Sequence, residues 1–219
     1  MSKLTIFDLD NTLIGGDSDH LWGEFLIAQG LVDASTHRAQ NDAFYQQYQQ
    51  GNLDILAYQH FVLKPLIAFS QTELAQLHER FMAEFIEPIM LPKAIDLVAQ
   101  HRDQGHTLLI ITATNEFITQ PIAQRLGIAH LIGTKPDIKN GRFTGEVAGI
   151  PSFQEGKILR LKDWLRSQEP QLELSHFYSD SHNDLPLLKR VPNPVAVDPD
   201  ECLRQYAETH NWPILSLRG

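Results

Sequence analysis

Cysteine is all but missing from this chain: Cys202 stands alone among 219 residues. A single thiol cannot close an intrachain disulfide or build a zinc cluster, which points to a reducing compartment. Long apolar runs are missing too. No uninterrupted stretch approaches the roughly 20 residues that a bilayer-spanning helix needs. The start, Met1-Ser2-Lys3-Leu4, lacks the charged, apolar and small-residue segments of a signal peptide. These absences predict a cytoplasmic protein with no membrane partner. Positive charge is scarce as well, with 18 Lys and Arg against 27 Asp and Glu and a formal net charge of −9. A nucleic-acid backbone is therefore an unsuitable partner. A small phosphorylated substrate stays open if a divalent metal offsets the local charge. Internal repeats, low-complexity tracts and long linkers are also lacking.

What is present is organised around Leu4-Thr5-Ile6-Phe7-Asp8-Leu9-Asp10-Asn11-Thr12-Leu13. A short apolar run bounded by turn residues reads as a buried strand of a parallel sheet. Its acids then fall at the carboxyl edge of that sheet, where open α/β folds bind ligands. Two carboxylates at about 4 Å and an effective dielectric of about 20 repel by roughly 4 kcal/mol. Either one takes a proton or a cation sits between them, and hard oxygen donors suit Mg²⁺.

Residues 17–87 change character: strands vanish and apolar residues fall at helical spacing. Leu21, Trp22, Phe25 and Leu26 mark a first helix with a stop at Gly30, and Phe44, Tyr45 and Tyr48 a second. A third must end by Lys64 because Pro65 follows. Ser70-Gln71-Thr72-Glu73 opens a fourth with a capping box. The α/β alternation resumes at Pro92. Strands are expected at Thr107–Ile111, Leu131-Ile132, His176–Ser179 and Val195–Val197, with helices between them. Asn140-Gly141 signals a hairpin. Phe153 to Arg166 reads as a helix with Ile158, Leu159, Leu161 and Leu165 facing inward. The expected fold is α/β: a doubly wound parallel sheet formed by residues 1–16 and 88–219, with 17–87 inserted as a helical domain.

Three strands end in polar residues that belong together: Asp8 and Asp10, then Thr112, then Asp180 with Asp184. Lys157 opens a helix after Gly156, and Lys135 is a rival cation near a strand end. Taken singly, Thr112 reads as a helix cap, Lys157 as a solvated helix residue, and Asp180 and Asp184 as first-turn acids. Taken in order, Asp8-Leu9-Asp10-Asn11-Thr12, Ile111-Thr112-Ala113-Thr114, Lys157 and Asp180-Ser181-His182-Asn183-Asp184 resemble the four motifs of the haloacid dehalogenase superfamily. The spacing is similar to its phosphoserine-phosphatase-like branch, with a helical cap between the first and second motifs.

That resemblance implies a Mg²⁺-dependent phosphomonoester hydrolase. Asp8 would be the nucleophile and Asp10 the general acid and base. Thr112 and backbone near Ala113 would bind the phosphoryl group, and Lys157 would neutralise it. Asp8, the Asp10 carbonyl and Asp180 would hold the metal, with Asp184 positioning metal waters or Lys157. Substrate contacts are expected from Asp17, Thr112, Ala113, Asn115, Lys157 and Asn183. Asn11 replaces the Gly usual in the family and also tolerates positive φ.

The family's phosphoserine phosphatases clamp the substrate carboxylate with a cap Arg, yet residues 43–71 contain no Arg. Asp17, Asp19 and Glu24 suggest a cationic leaving group instead. The sequence also resembles a bacterial group of this branch associated with histidinol-phosphate phosphatase activity. L-histidinol phosphate is the expected substrate and phosphoserine the alternative. Trp22 and Phe44 are candidates to stack on an imidazole, with helix packing the plainer reading. A receiver-like signalling domain that accepts a phosphoryl group on Asp is the alternative from another class.

Overall fold

The computed structural model describes residues 2–219. Strand β1 (Ser2–Phe7) occupies the interior of a six-stranded sheet. Leu4 and Ile6 bury one of its faces, Thr5 and Phe7 the other, all of them 0 % exposed. A strand segment with no wet face must be covered on both sides, which explains why Leu4, Ile6 and Phe7 are apolar on both of its faces. Leu4, Ile6 and Phe7 each contribute about 1.5–3 kcal/mol by leaving water.

Four helices follow: α1 (Ser18–Ala28), α2 (Ala34–Gln49), α3 (Ile55–Leu63) and α4 (Gln71–Phe81). Their starts are fixed by Asp17, Asp33, Asp54 and Ser70, whose side chains accept backbone N–H groups of the first turn. Ser70 and Glu73 form the expected capping box. Pro65 ends α3 at Leu63, and the chain goes on as a 3-10 turn, Lys64–Ala68.

Helix α5 (Pro92–Asp103) carries its proline at the first position, where the missing N–H costs nothing. Next come β2 (Thr107–Asn115), α6 (Glu116–Arg125) and β3 (His130–Thr134). Pro121 is tolerated inside α6, which is held by the wholly buried Ile118, Ile122 and Ala123. Strands β4 (Pro136–Lys139) and β5 (Arg142–Val147) form the hairpin, with Asn140 at φ 52° and Gly141 at φ 74°. Two successive positive φ values are what an Asn-Gly turn supplies. The hairpin packs under α3: Glu146 pairs with His60 at 3.2 Å, and the Gln71 amide donates to the Gly141 carbonyl at 3.0 Å.

The rest of the chain is α7 (Glu155–Arg166), β6 (Leu172–Ser179), α8 (Leu185–Leu188), β7 (Asn193–Val197), α9 (Glu201–Thr209) and β8 (Ile214–Leu215). The sheet order is β3-β2-β1-β6-β7-β8, and every neighbouring pair is parallel. Helices α1, α5 and α6 cover the face carrying Phe7, Ile110 and Tyr178. Helices α7, α8 and α9 cover the face carrying Ile6, Leu109 and Phe177. The order reverses at β1, between β2 and β6, so a crevice opens beyond the end of β1.

Three expectations need correction. Leu159 is 46 % exposed, while Ile158 and Leu161 are buried; on α7 Leu159 lies about 100° around the helix from the stripe defined by 158, 161 and 165. Strands β6 and β7 begin earlier than expected, at Leu172 and Asn193, because Glu173 and Ser175 in one and Asn193-Pro194 in the other interrupt the apolar pattern. Strand β8 has no counterpart among the expected strands, because two residues carry no periodicity. Among the described residues, no helix is long and apolar enough to cross a membrane.

Candidate active site

The ends of β1, β2 and β6 converge on one cavity whose opposite wall comes from α1, α2 and α3. Asp8, Asp10, Thr112, Ala113, Lys157, Asn183 and Asp184 line it from the sheet side. The Asp8 amide donates to the Tyr178 carbonyl at 2.9 Å, extending the β1–β6 ladder by one residue and fixing that carboxylate. Asn11 turns the chain away at φ 57°. Thr12 then stitches the two loops together: its hydroxyl donates to Asp180 Oδ1 at 3.2 Å and accepts the Asp180 N–H at 3.0 Å.

Lys157, 3 % exposed, donates to Asp8 Oδ1 at 2.8 Å and lies 2.7 Å from Asp184 Oδ1. Burial lowers the pKa of the ammonium, but the charges of Asp184 and Asp8 more than offset it and hold it raised. Lys135, the rival cation, is exposed on the surface. The position of Lys157 depends on Gly156, since a Cβ there would run into the Pro151 carbonyl oxygen.

Burial pushes the Asp8 carboxyl up to about 7, with Asp184 and Asp10 adding to the rise against the pull of Lys157. Asp180 is likewise raised by burial and then by Asp8 and Asp184. The Asp180 side chain accepts from Thr12 and from no other side chain among the described residues. Two buried carboxylates with surplus negative charge and free oxygen lone pairs fit a hard divalent cation.

Asp10 is held differently. Its Oδ1 accepts from the Ser18 N–H at 2.6 Å and the Ser18 hydroxyl at 2.5 Å, and its Oδ2 from Thr114 at 2.8 Å and Thr112 at 3.2 Å. Asp184 spends its oxygens on Lys157 and on the Ser179 hydroxyl at 2.7 Å, so it braces the lysine. Asn183 joins the two walls: its amide donates to the Tyr48 carbonyl at 3.1 Å and its Oδ1 accepts from Gln154 at 3.0 Å.

Several expected placements differ. Asn115 does not line the cavity; it is 0 % exposed and caps α6, accepting the Ile118 N–H at 3.2 Å. The cap duty considered for Thr112 therefore belongs to Asn115, and Thr112 faces Asp10. Glu24 points away and is engaged by Arg38 in a two-pronged pair at 3.1 and 2.8 Å. Trp22 is core, wholly buried among Phe25, Phe81 and Phe117, while Phe44 lines the cavity.

Asp17 and Asp19 bring two more acids into the same wall. Burial, then the nearby Asp10, raises Asp17 to about 7; Asp19 is raised by burial, Asp17 and Asp10. Ser18, Thr114, Tyr45, Tyr48, Tyr58 and Phe153 were not singled out from sequence as site residues. Phe44, Tyr45 and Tyr48 share one stripe of a polar helix, which was the available signal.

Residues 5–189 match the family described as haloacid dehalogenase-like hydrolase, and the chain belongs to that family. It is a phosphoric monoester hydrolase, which removes the receiver-like alternative. It is 48% identical to a histidinol-phosphatase of Neisseria meningitidis serogroup C (strain 8013), with 100% of both chains covered. A crystal structure of a protein of unknown function from Bordetella pertussis Tohama I shares 39% identity and a TM-score of 0.93, again over 100% of both chains. A substrate-bound phosphoserine phosphatase shares the fold, with a TM-score of 0.70 at 14% identity over 100% of this chain and 94% of that one.

Proposed function

We propose that this phosphatase hydrolyses L-histidinol phosphate. One observation carries the reading. Five carboxylates line the cavity (Asp8, Asp10, Asp17, Asp19 and Asp184) against a single cationic side chain, Lys157, which is already paired with two of them. No Arg is among the lining residues. A substrate carboxylate would meet unpaired like charge and no two-pronged partner. An amine would meet Asp17 and Asp19, and an imidazole has aromatic neighbours in Phe44, Tyr45, Tyr48, Tyr58 and Phe153. The likeness to the Neisseria histidinol-phosphatase supports the same substrate.

The chemistry follows from the placements. Asp8, held by Lys157, attacks phosphorus and forms an aspartyl-phosphate as the ester oxygen leaves. Asp10, oriented by Ser18, Thr112 and Thr114, donates the proton to that oxygen. It then takes a proton from the water that hydrolyses the acyl phosphate. Lys157 holds its positive charge throughout, with Asp184 as its brace. Asp8, the Asp10 carbonyl and Asp180 would hold Mg²⁺, which when bound offsets their repulsion and the phosphoryl charge. Residues 17–87 act as the cap that closes over the leaving group, with Asn183 and the Tyr48 carbonyl as one point of closure.

The test is phosphate release from histidinol phosphate, phosphoserine and small sugar phosphates measured side by side with Mg²⁺. Histidinol phosphate is expected to lead in kcat/KM. A phosphoserine preference above about tenfold, or 1.4 kcal/mol, would overturn the substrate reading. Asp8→Asn is expected to abolish turnover on every ester, and near wild-type rates for that variant would overturn the mechanism.

A further inference from the structure

At the opposite end of the same strand, three imidazoles gather from three separate elements. His101 lies in the last turn of α5, His106 in the turn leading to β2, and His176 in β6. A ligand nitrogen from each lies within 4.8 Å of the other two. We propose that His101, His106 and His176 form a three-histidine site for a borderline transition-metal ion such as Zn²⁺, separate from the phosphatase cavity.

The sheet register builds the cluster. Thr5 pairs with His176 across β1 and β6 and with Leu108 across β1 and β2, so His106, two residues before Leu108, rises on the same face. Helix α5 lies over that face and brings His101 down onto Thr5. His101 Nδ1 and His106 Nδ1 are 2.9 Å apart, and the Thr5 hydroxyl lies 3.2 Å and 2.9 Å from them. Two ring nitrogens that close need one proton between them, or one cation. A tetrahedral zinc with Zn–N of about 2.0–2.1 Å sets its nitrogens about 3.3 Å apart. Metal entry thus asks these two rings to part by only a few tenths of an ångström.

The outer nitrogens support the same reading. His101 Nε2 faces the Tyr178 hydroxyl at 2.8 Å, and His176 Nδ1 faces the Ser175 hydroxyl at 2.9 Å. A metal-binding histidine characteristically has its second nitrogen held in this way, which fixes the tautomer and the ring plane. All three rings favour the neutral form that ligates metal: burial lowers each pKa, with the neighbouring imidazoles adding to the effect for His101 and His176. His106 and His176 are half-buried, leaving an entry path and room for a fourth ligand from water. The α5 carboxyl end favours a cation. Lys3 opposes it, but that side chain is exposed and its charge is screened. Phe7 and Tyr178, stacked at 5.2 Å, lie between this cluster and Asp8. An ion here would clamp α5 and β6 to the strand that carries the nucleophile.

The experiment is Zn²⁺ titration of the full chain with saturating Mg²⁺ to occupy the carboxylate cavity, followed by X-ray absorption of the zinc-loaded protein. One zinc per chain is expected, surrounded by imidazole nitrogens at about 2.0–2.1 Å. His106→Gln and His176→Gln together should weaken zinc binding by at least about a hundredfold. Zinc should raise the melting temperature of the parent and not of the double variant. Both rings are half-buried and remote from the cavity, so phosphatase activity of the variant reports that it has folded. Zinc binding unchanged in the double variant would overturn the proposal. So would a spectrum showing sulfur at about 2.3 Å, which would place the ion at the His182, Asp200 and Cys202 group, or no zinc bound at all.

Discussion

Asp17→Asn isolates the cost and the use of charge in the cavity. Asn keeps the cap of α1, because its side-chain oxygen still accepts the His20 N–H that Asp17 Oδ1 receives at 2.9 Å. Only the charge is lost. Moving a carboxyl from 3.8 to about 7 corresponds to about 4 kcal/mol against the ionised form, at about 1.4 kcal/mol per tenfold change. Asp17 is half-buried, and water at the cavity mouth screens part of this, leaving about 1–2 kcal/mol. The folded state holds this proton more tightly than the unfolded state. Stability from this group is therefore complete below pH 4 and is lost as pH rises through about 7. Urea unfolding in EDTA should show Asp17→Asn more stable than the parent at pH 8 by about 1–2 kcal/mol, and equal to it near pH 4. In kinetics, KM for histidinol phosphate should rise about tenfold, while an aryl phosphate without an amine loses no more than about twofold. A variant less stable than the parent at pH 8, or one that loses both substrates equally, would refute the reasoning.

Lys157→Met should remove activity and lower stability by about 3–5 kcal/mol in metal-free urea titrations, because Asp8 and Asp184 would be left buried and unpaired. Gly156→Ala should cost about 1–3 kcal/mol by driving the first turn of α7 off the Pro151 carbonyl; kcat should fall more than KM changes, since Lys157 moves with it. His78, buried beside Trp22 with Nε2–H donating to the Ile118 carbonyl at 3.0 Å, has its pKa lowered mainly by burial. Its folded form prefers to be neutral, so stability present above pH 6.5 should fall as the solution is acidified. Thermal melts of His78→Gln should lose part of that pH dependence.

The sheet and the motif residues on it were legible because one physical constraint fixes both. A strand buried on two faces is mostly apolar, so the run of charged and hydroxyl residues at Asp8, Thr112 and Asp180 stands out where the strands leave the core. The opposite wall was harder to read. Tyr45 and Tyr48 look like any aromatic stripe on a helix, and nothing in their spacing separates these cavity residues from the core residue Trp22 of α1. Asn115 is ambiguous in sequence for a related reason, since a polar residue at a strand end serves equally as a ligand or as the cap of the next helix, and here it takes the cap. Thr114 and Ser18 become visible only once Asp10 is seen to draw donors from two segments.

The cavity couples specificity to stability through the same atoms. Asp8 and Asp180 could not stay ionised in a closed site without a counter-charge, and Lys157 supplies one cation where five carboxylates line the cavity. A structural protein would have replaced some of these acids by amides at little cost in packing. On the proposed reading, two positive partners complete the site, a divalent ion on the sheet side and a protonated amine on the side of Asp17 and Asp19. Rejection of a carboxylate-bearing ester then needs no steric block: the acids that would receive the amine already repel the wrong substrate. Selectivity against phosphoserine should consequently weaken in Asp17→Asn even where its rate on histidinol phosphate falls.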